Sequence, residues 1–177
     1  MSRIITILIA CLFISACADY KIKTSQDPQA DFSTYSSWCW LNNCSPTFEG
    51  PSYIYEKKLM VNMVDAIAQE MYKKGYEQLD ESDADLLVDF RLVLKEDSTL
   101  NSIIHEDALP LWENYREGDP YYHFLKGSLI IDIADRKKGK VVWRSVTERY
   151  MPEYPNMSFE EVHKGIKKAL KDFPKAK

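Results

Sequence analysis

Glycine is scarce in this chain of 177 residues, and its six glycines are scattered. That excludes a phosphate-cradling glycine loop and a G-x-S-x-G nucleophile elbow. Histidine is scarcer still, with only His105, His123 and His163. The stretch "IIHEDAL" has no second histidine four residues on, so it is not an H-E-x-x-H zinc helix. There is no long basic block and no interleaving of aromatic with basic residues, and the formal net charge is −4. Nucleic acid is therefore not an expected partner. No apolar run reaches the roughly 20 residues that a membrane-spanning helix needs. Internal repeats and low-complexity tracts are also missing, and the length suits one domain with a single core.

What is present begins at the N-terminus. Met1-Ser2-Arg3 supplies one cation, and Ile4 to Ala16 carry no charge. An uncharged run of about 10 to 14 residues has the size of a signal-peptide h-region. The run closes on Ile14-Ser15-Ala16 followed by Cys17, which resembles the lipobox of bacterial lipoproteins. That resemblance implies removal of residues 1–16, a diacylglyceryl group on the Cys17 sulfur and acylation of the new amine. One acyl chain binds a membrane marginally, whereas two or more anchor it firmly. Ala18 after the cysteine points to outer-membrane sorting, although Asp19 one place later argues mildly the other way. The expected arrangement is thus a leader, 1–16, and one periplasm-facing domain, 17–177.

Loss of the leader removes Arg3 and leaves the domain mildly acidic. Cys11 departs with it and Cys17 is taken by lipid, which isolates Cys39 and Cys44 in an oxidising compartment. A disulfide between them is the expectation. A redox dithiol or half of a zinc site is the rival, but the spacing is not C-x-x-C and no second ligand pair stands nearby.

Along the chain, 20–25 and 34–41 read as short strands around the Asp27-Pro28 turn. From Tyr53 to Lys74 the period becomes 3.6, with Tyr55, Leu59, Met63, Ile67 and Met71 on one stripe broadened by Met60 and Val64. Gly75 follows as a C-terminal stop. Residues 85–95 alternate, with Leu86, Val88, Phe90, Leu92 and Leu94 on one side. Leu129, Ile131 and Ile133 alternate next, then Val141, Trp143 and Ser145, the two runs joined by a turn at Gly139. Asp89, Arg91, Asp132 and Arg144 then share a solvated sheet face. Ser158-Phe159-Glu160-Glu161 has capping-box spacing and opens a second amphipathic helix ended by Pro174. These elements predict a two-layer α+β domain, mainly antiparallel, with both amphipathic helices packed on one face.

Several pieces in their order resemble one family, the bacterial lipoproteins that contain the domain of unknown function numbered 4136. They are "DPQADFSTYSSWCWL", "AIAQEMYKKGYEQLDESDADLLVDF", "KGSLIIDIADRKKGKVVWRS" and the closing "LKDFP". The resemblance implies an envelope lipoprotein of α+β fold, with no catalytic residues to carry over. The chain departs from it in placing Cys39 inside "WCWL" and in a glycine-poor insertion.

That insertion, 97–126, is longer than an ordinary connection. It holds Trp112, Tyr115, Arg116, Tyr121 and Tyr122, aromatic residues with a charged rim of the kind found on recognition surfaces. Either they form a candidate partner-binding surface or the rings cap an open end of the core. Three functions follow in order. The first is a non-enzymatic envelope module, held to the membrane through Cys17, that binds an envelope protein or component and needs no cofactor, metal or catalytic residue. The second is a small-molecule carrier or an accessory of an envelope transport system, which requires a deep apolar pocket. The third is a hydrolase, which requires His123, Asp119 or Glu106 to meet in one cleft.

Overall fold

Strand β5, Leu86–Asp97, is the spine of the sheet. Its alternate residues Leu86, Val88, Phe90, Leu92 and Leu94 are all buried, as a strand with one face in the core requires. A computed structural model describes residues 20–43, 46–54, 56–97 and 124–177. Within these, β5 pairs antiparallel with β6, Phe124–Asp135, which pairs antiparallel with β7, Lys140–Pro152. β7 in turn carries β1, Lys21–Gln26, on its outer side.

The other flank of β5 runs the opposite way. β2, Ser37–Trp40, and β3, Thr47–Glu49, both lie parallel to β5, and β2 also pairs parallel with β4, Glu77–Gln78. The sheet has seven strands in the order β1-β7-β6-β5-β2-β4, with β3 also on β5. It is therefore a mixed sheet in an α+β domain, and not the mainly antiparallel one expected. Helix α1, Glu56–Lys73, explains the difference. β2 and β3 precede α1 while β4 and β5 follow it, and a helix-bearing crossover returns the chain in its original direction.

α1 buries Leu59, Met63, Ile67 and Met71 of the stripe its periodicity predicts, with Ala66 and Glu70 beside them; Met60 and Val64 are half-buried, and Tyr55 lies outside the described residues. It ends in a Schellman motif: the Gly75 amide donates to the Tyr72 carbonyl (2.9 Å) and the Tyr76 amide to the Met71 carbonyl (3.1 Å). Gly75 has a φ of 90°, a conformation that suits glycine. The second helix, α2, Phe159–Ala169, starts at the N-cap Ser158 and carries Glu160 and Glu161 in its first turn and Lys167 and Lys168 in its last. One buried cluster unites both helices with β5, β6 and β7. At its base the Phe173 ring stacks on Tyr76 and meets Trp143 and Phe32 edge-on.

β7 departs from simple alternation. Ile133 faces Trp143 but Ala134 faces Val141, which leaves Val142 as the extra residue of a β-bulge. Val142 and Trp143 consequently both enter the core, 1% and 2% exposed, while Val141 is 40% exposed. The expected pattern, with Val141 facing inward, is corrected by that one residue.

Candidate functional site

Near the C-terminal end of β7 the core opens into a pocket of about 100 Å³. Its floor is Leu92 and Leu94 of β5 with Gly127 and Leu129 of β6, and its walls are Leu59 and Met63 of α1 and Val162 and Ile166 of α2. Gly127 lets the Met151 and Leu94 side chains close in over β6. A Cβ there would fall 2.7 Å from the Met151 methyl and 3.3 Å from Leu94. The lining is almost wholly apolar, with one exception inside. The hydroxyl of Thr147 is buried and has no hydrogen-bond partner among the described residues. Such a group costs about 1–3 kcal/mol unless something satisfies it.

The mouth is built around Tyr20, the first described residue. Arg149 Nη1 donates to the Tyr20 hydroxyl at 2.7 Å, and its guanidinium lies 4.9 Å from the centre of the same ring. Lys168 Nζ lies 4.2 Å from that ring, and Tyr20 rests over Gly165 of α2. Glu161 offsets Arg149 from 3.7 Å. Beyond Asn156 and Met157 the pocket adjoins a second cavity of about 390 Å³ that bears Tyr53 and Tyr154, whose rings lie 5.5 Å apart. Asn62 donates to the Met157 carbonyl and ties this segment to α1.

A second polar cluster lies between the helices. Glu70 accepts from Lys73 at 2.7 Å and contacts His163 Nε2 at 2.8 Å, while Phe159 stacks on the imidazole. Burial alone would raise the Glu70 carboxyl, but the hydrogen bonds from Lys73 and His163 outweigh it and hold it below the usual range. His163, which its helix position places on the surface, is thus an interhelical tie. It does not line the pocket.

On the opposite sheet face Arg144 makes a two-pronged pair with Asp132, and Asp89 sits directly across from Asp132. Desolvation first, and the Asp132 charge after it, raise the Asp89 carboxyl. Arg91 is exposed on the same face.

The sequence-predicted site residues are largely elsewhere. Cys17, Cys44, Trp112, Tyr115, Arg116, Tyr121 and Tyr122 lie outside the described residues, as do His105, Glu106, Asp119 and His123. Cys39 is described: it is buried with a free thiol, and burial pushes that thiol's pKa up. Asp97 and Phe124, between which the insertion runs, pair just beyond the pocket residues Leu94 and Gly127. The pocket itself escaped the sequence reading. Gly127 inside an aliphatic strand was the available signal, since a strand glycine marks close approach of another group. Among the described residues, no group of three His, Cys, Asp or Glu could hold a metal ion, and no helix is long and apolar enough to cross a membrane.

Comparison with known proteins adds a family. A family model described as Domain of unknown function (DUF4136) matches residues 22–175. No curated protein matches the sequence. The fold is similar to that of a DUF4136 family protein from Bacteroides thetaiotaomicron VPI-5482, 18% identical, with 86% of this chain and 94% of that one covered and a TM-score of 0.51. It is also similar to PelC, a dodecamer from Paraburkholderia phytofirmans, 9% identical, with 86% and 95% covered and a TM-score of 0.51. A PDZ domain protein from Parabacteroides distasonis ATCC 8503 is 17% identical with a TM-score of 0.52; the match takes in 90% of this chain but 37% of that one. At such identities the likeness is one of fold alone. With the family model spanning almost all of the described domain, the chain belongs to the DUF4136 family, a family of unknown function.

Proposed function

We propose that the chain is a non-enzymatic binding module of the bacterial envelope, anchored by lipid on Cys17, and that the pocket beneath β7 receives an apolar group projecting from its ligand. In this reading α1 and α2 cover the same sheet face, and the pocket is the gap that their first turns leave over β5–β7. The observation that supports it is the almost wholly apolar lining around Gly127, where an added Cβ would press the Met151 methyl and Leu94 into the pocket they line. Size shows what this pocket can hold. A site for a whole drug-sized molecule is about 300–1,000 Å³, whereas an engineered cavity of about 150 Å³ holds benzene. A pocket of about 100 Å³ matches one side chain or the end of an acyl chain. This pocket therefore suits a group inserted by a partner and is too small to enclose a whole cargo, for which the adjoining cavity of about 390 Å³ is the larger space. Hydrolysis has little support here: the described lining has two hydroxyls, Thr147 and Tyr20, and neither histidine nor cysteine.

The test is binding of N-phenyl-1-naphthylamine, a small apolar fluorophore, to the intact chain and to Gly127→Ala. The variant is expected to bind at least about tenfold more weakly, equivalent to about 1.4 kcal/mol, with an unchanged circular dichroism spectrum. Equal binding by both forms would remove the pocket from consideration.

A further inference from the structure

We propose that the end of the domain carrying the pocket mouth lies against the phospholipid bilayer, with Tyr53, Tyr150 and Tyr154 seated at the boundary between headgroups and acyl chains. The inference rests on the Cys17 anchor of the preceding reading and is independent of what enters the pocket.

The first support is chain length. Tyr20 is fixed between Arg149 and α2 at the pocket mouth, and Cys17 stands three positions before it. Three residues span at most about 11 Å when fully extended. A lipid on Cys17 therefore holds this end of the molecule within about that distance of the membrane surface, and no other end can come closer without the domain turning over.

The second support is what the tethered end displays. Tyr154 is 75% exposed, its ring is tilted against the exposed ring of Tyr53, and Tyr150 is exposed two residues before the end of β7. Tyrosine has an apolar body and a polar tip, the combination enriched where hydrocarbon gives way to headgroups. Charge at the mouth is mixed, since Glu161 offsets Arg149, so the aromatic groups and not an attraction to anionic lipid supply the contact.

The molecule supplies its own control. α1 begins beside Tyr53 and runs for 18 residues, so its far end lies about 27 Å away. Tyr72 sits there, 80% exposed. It is as accessible as Tyr154 but points to the opposite end of the domain.

The experiment places the photoreactive residue p-benzoylphenylalanine at Tyr53, Tyr154 or Tyr72 in the full acylated chain. The protein is reconstituted on vesicles of phosphatidylethanolamine and phosphatidylglycerol, irradiated and analysed by mass spectrometry, which also reads the N-terminal peptide. Phospholipid adducts at positions 53 and 154 and none at 72 are the expected result. Adducts missing at 53 and 154, or equal at 72, with Cys17 acylated would overturn the docking and leave the anchor standing. A Cys17 peptide without acyl groups would overturn both.

Discussion

Asp89 shows how one side chain sets a pH dependence. Its carboxyl is raised above its ordinary value, first by desolvation and then by Asp132 directly opposite. An acid whose folded pKa is raised favours the folded state at low pH, where it is protonated in both states. That advantage is lost as pH rises from the ordinary aspartate value through the raised one. At pH 7 the ionised Asp89 is accordingly a cost. Asp89→Asn is expected to stabilise the protein by up to about 1 kcal/mol at pH 7 and to have no effect near pH 3, as read by urea denaturation at the two pH values. A stabilisation that is the same at both would show that charge is not the cause. The pair beside it behaves differently. Arg144 is half exposed, so a double-mutant cycle on Arg144 and Asp132 is expected to return a coupling of about 0.2–1 kcal/mol, diminished by salt.

Among the elements, the bulge in β7 separates a sequence pattern from its realisation. Period-two alternation assigns Val141 to the core, whereas the extra residue turns Val142 inward beside Trp143. Val142→Ala is expected to cost about 1.5–3 kcal/mol and Val141→Ala less than about 0.5 kcal/mol, compared by thermal denaturation. The reverse ranking would mean that the strand runs in unbroken register. At the end of α1, Gly75→Ala forces an L side chain into the left-handed region at φ 90°, with an expected loss of about 1–2 kcal/mol. These cases mark how far the sequence was legible. β5 and α1 could be read because each repeats its own period over many residues and buries one face. The turn at Gly139 could be read too, and its φ of 63° agrees. The parallel pairing of β2 and β3 could not, because strands of four and three residues carry no pattern that reports direction. Direction came instead from the helix that follows them. The pocket was hidden for a related reason: its residues come from β5, β6, β7, α1 and α2, and only tertiary packing brings them together.

For the whole molecule, the anchor and the core make separate demands. Cys17→Ser is expected to free the chain into the soluble periplasmic fraction while leaving its denaturation midpoint unchanged, because Cys17 precedes every described element. Retention of that variant in the membrane would mean that polypeptide, and not lipid, holds it there. The connectivity also has a kinetic consequence. Among the described residues β1 has a single neighbour, β7, so the first described strand pairs with the last. Ordering at this edge has to wait until residue 148, the partner of Lys21, is in place. Long sequence separation of this kind slows folding. In pulsed hydrogen exchange the Lys21–Gln26 amides should gain protection after those of β5 and β6, so that the strand nearest the proposed lipid site is the closing seam of the fold.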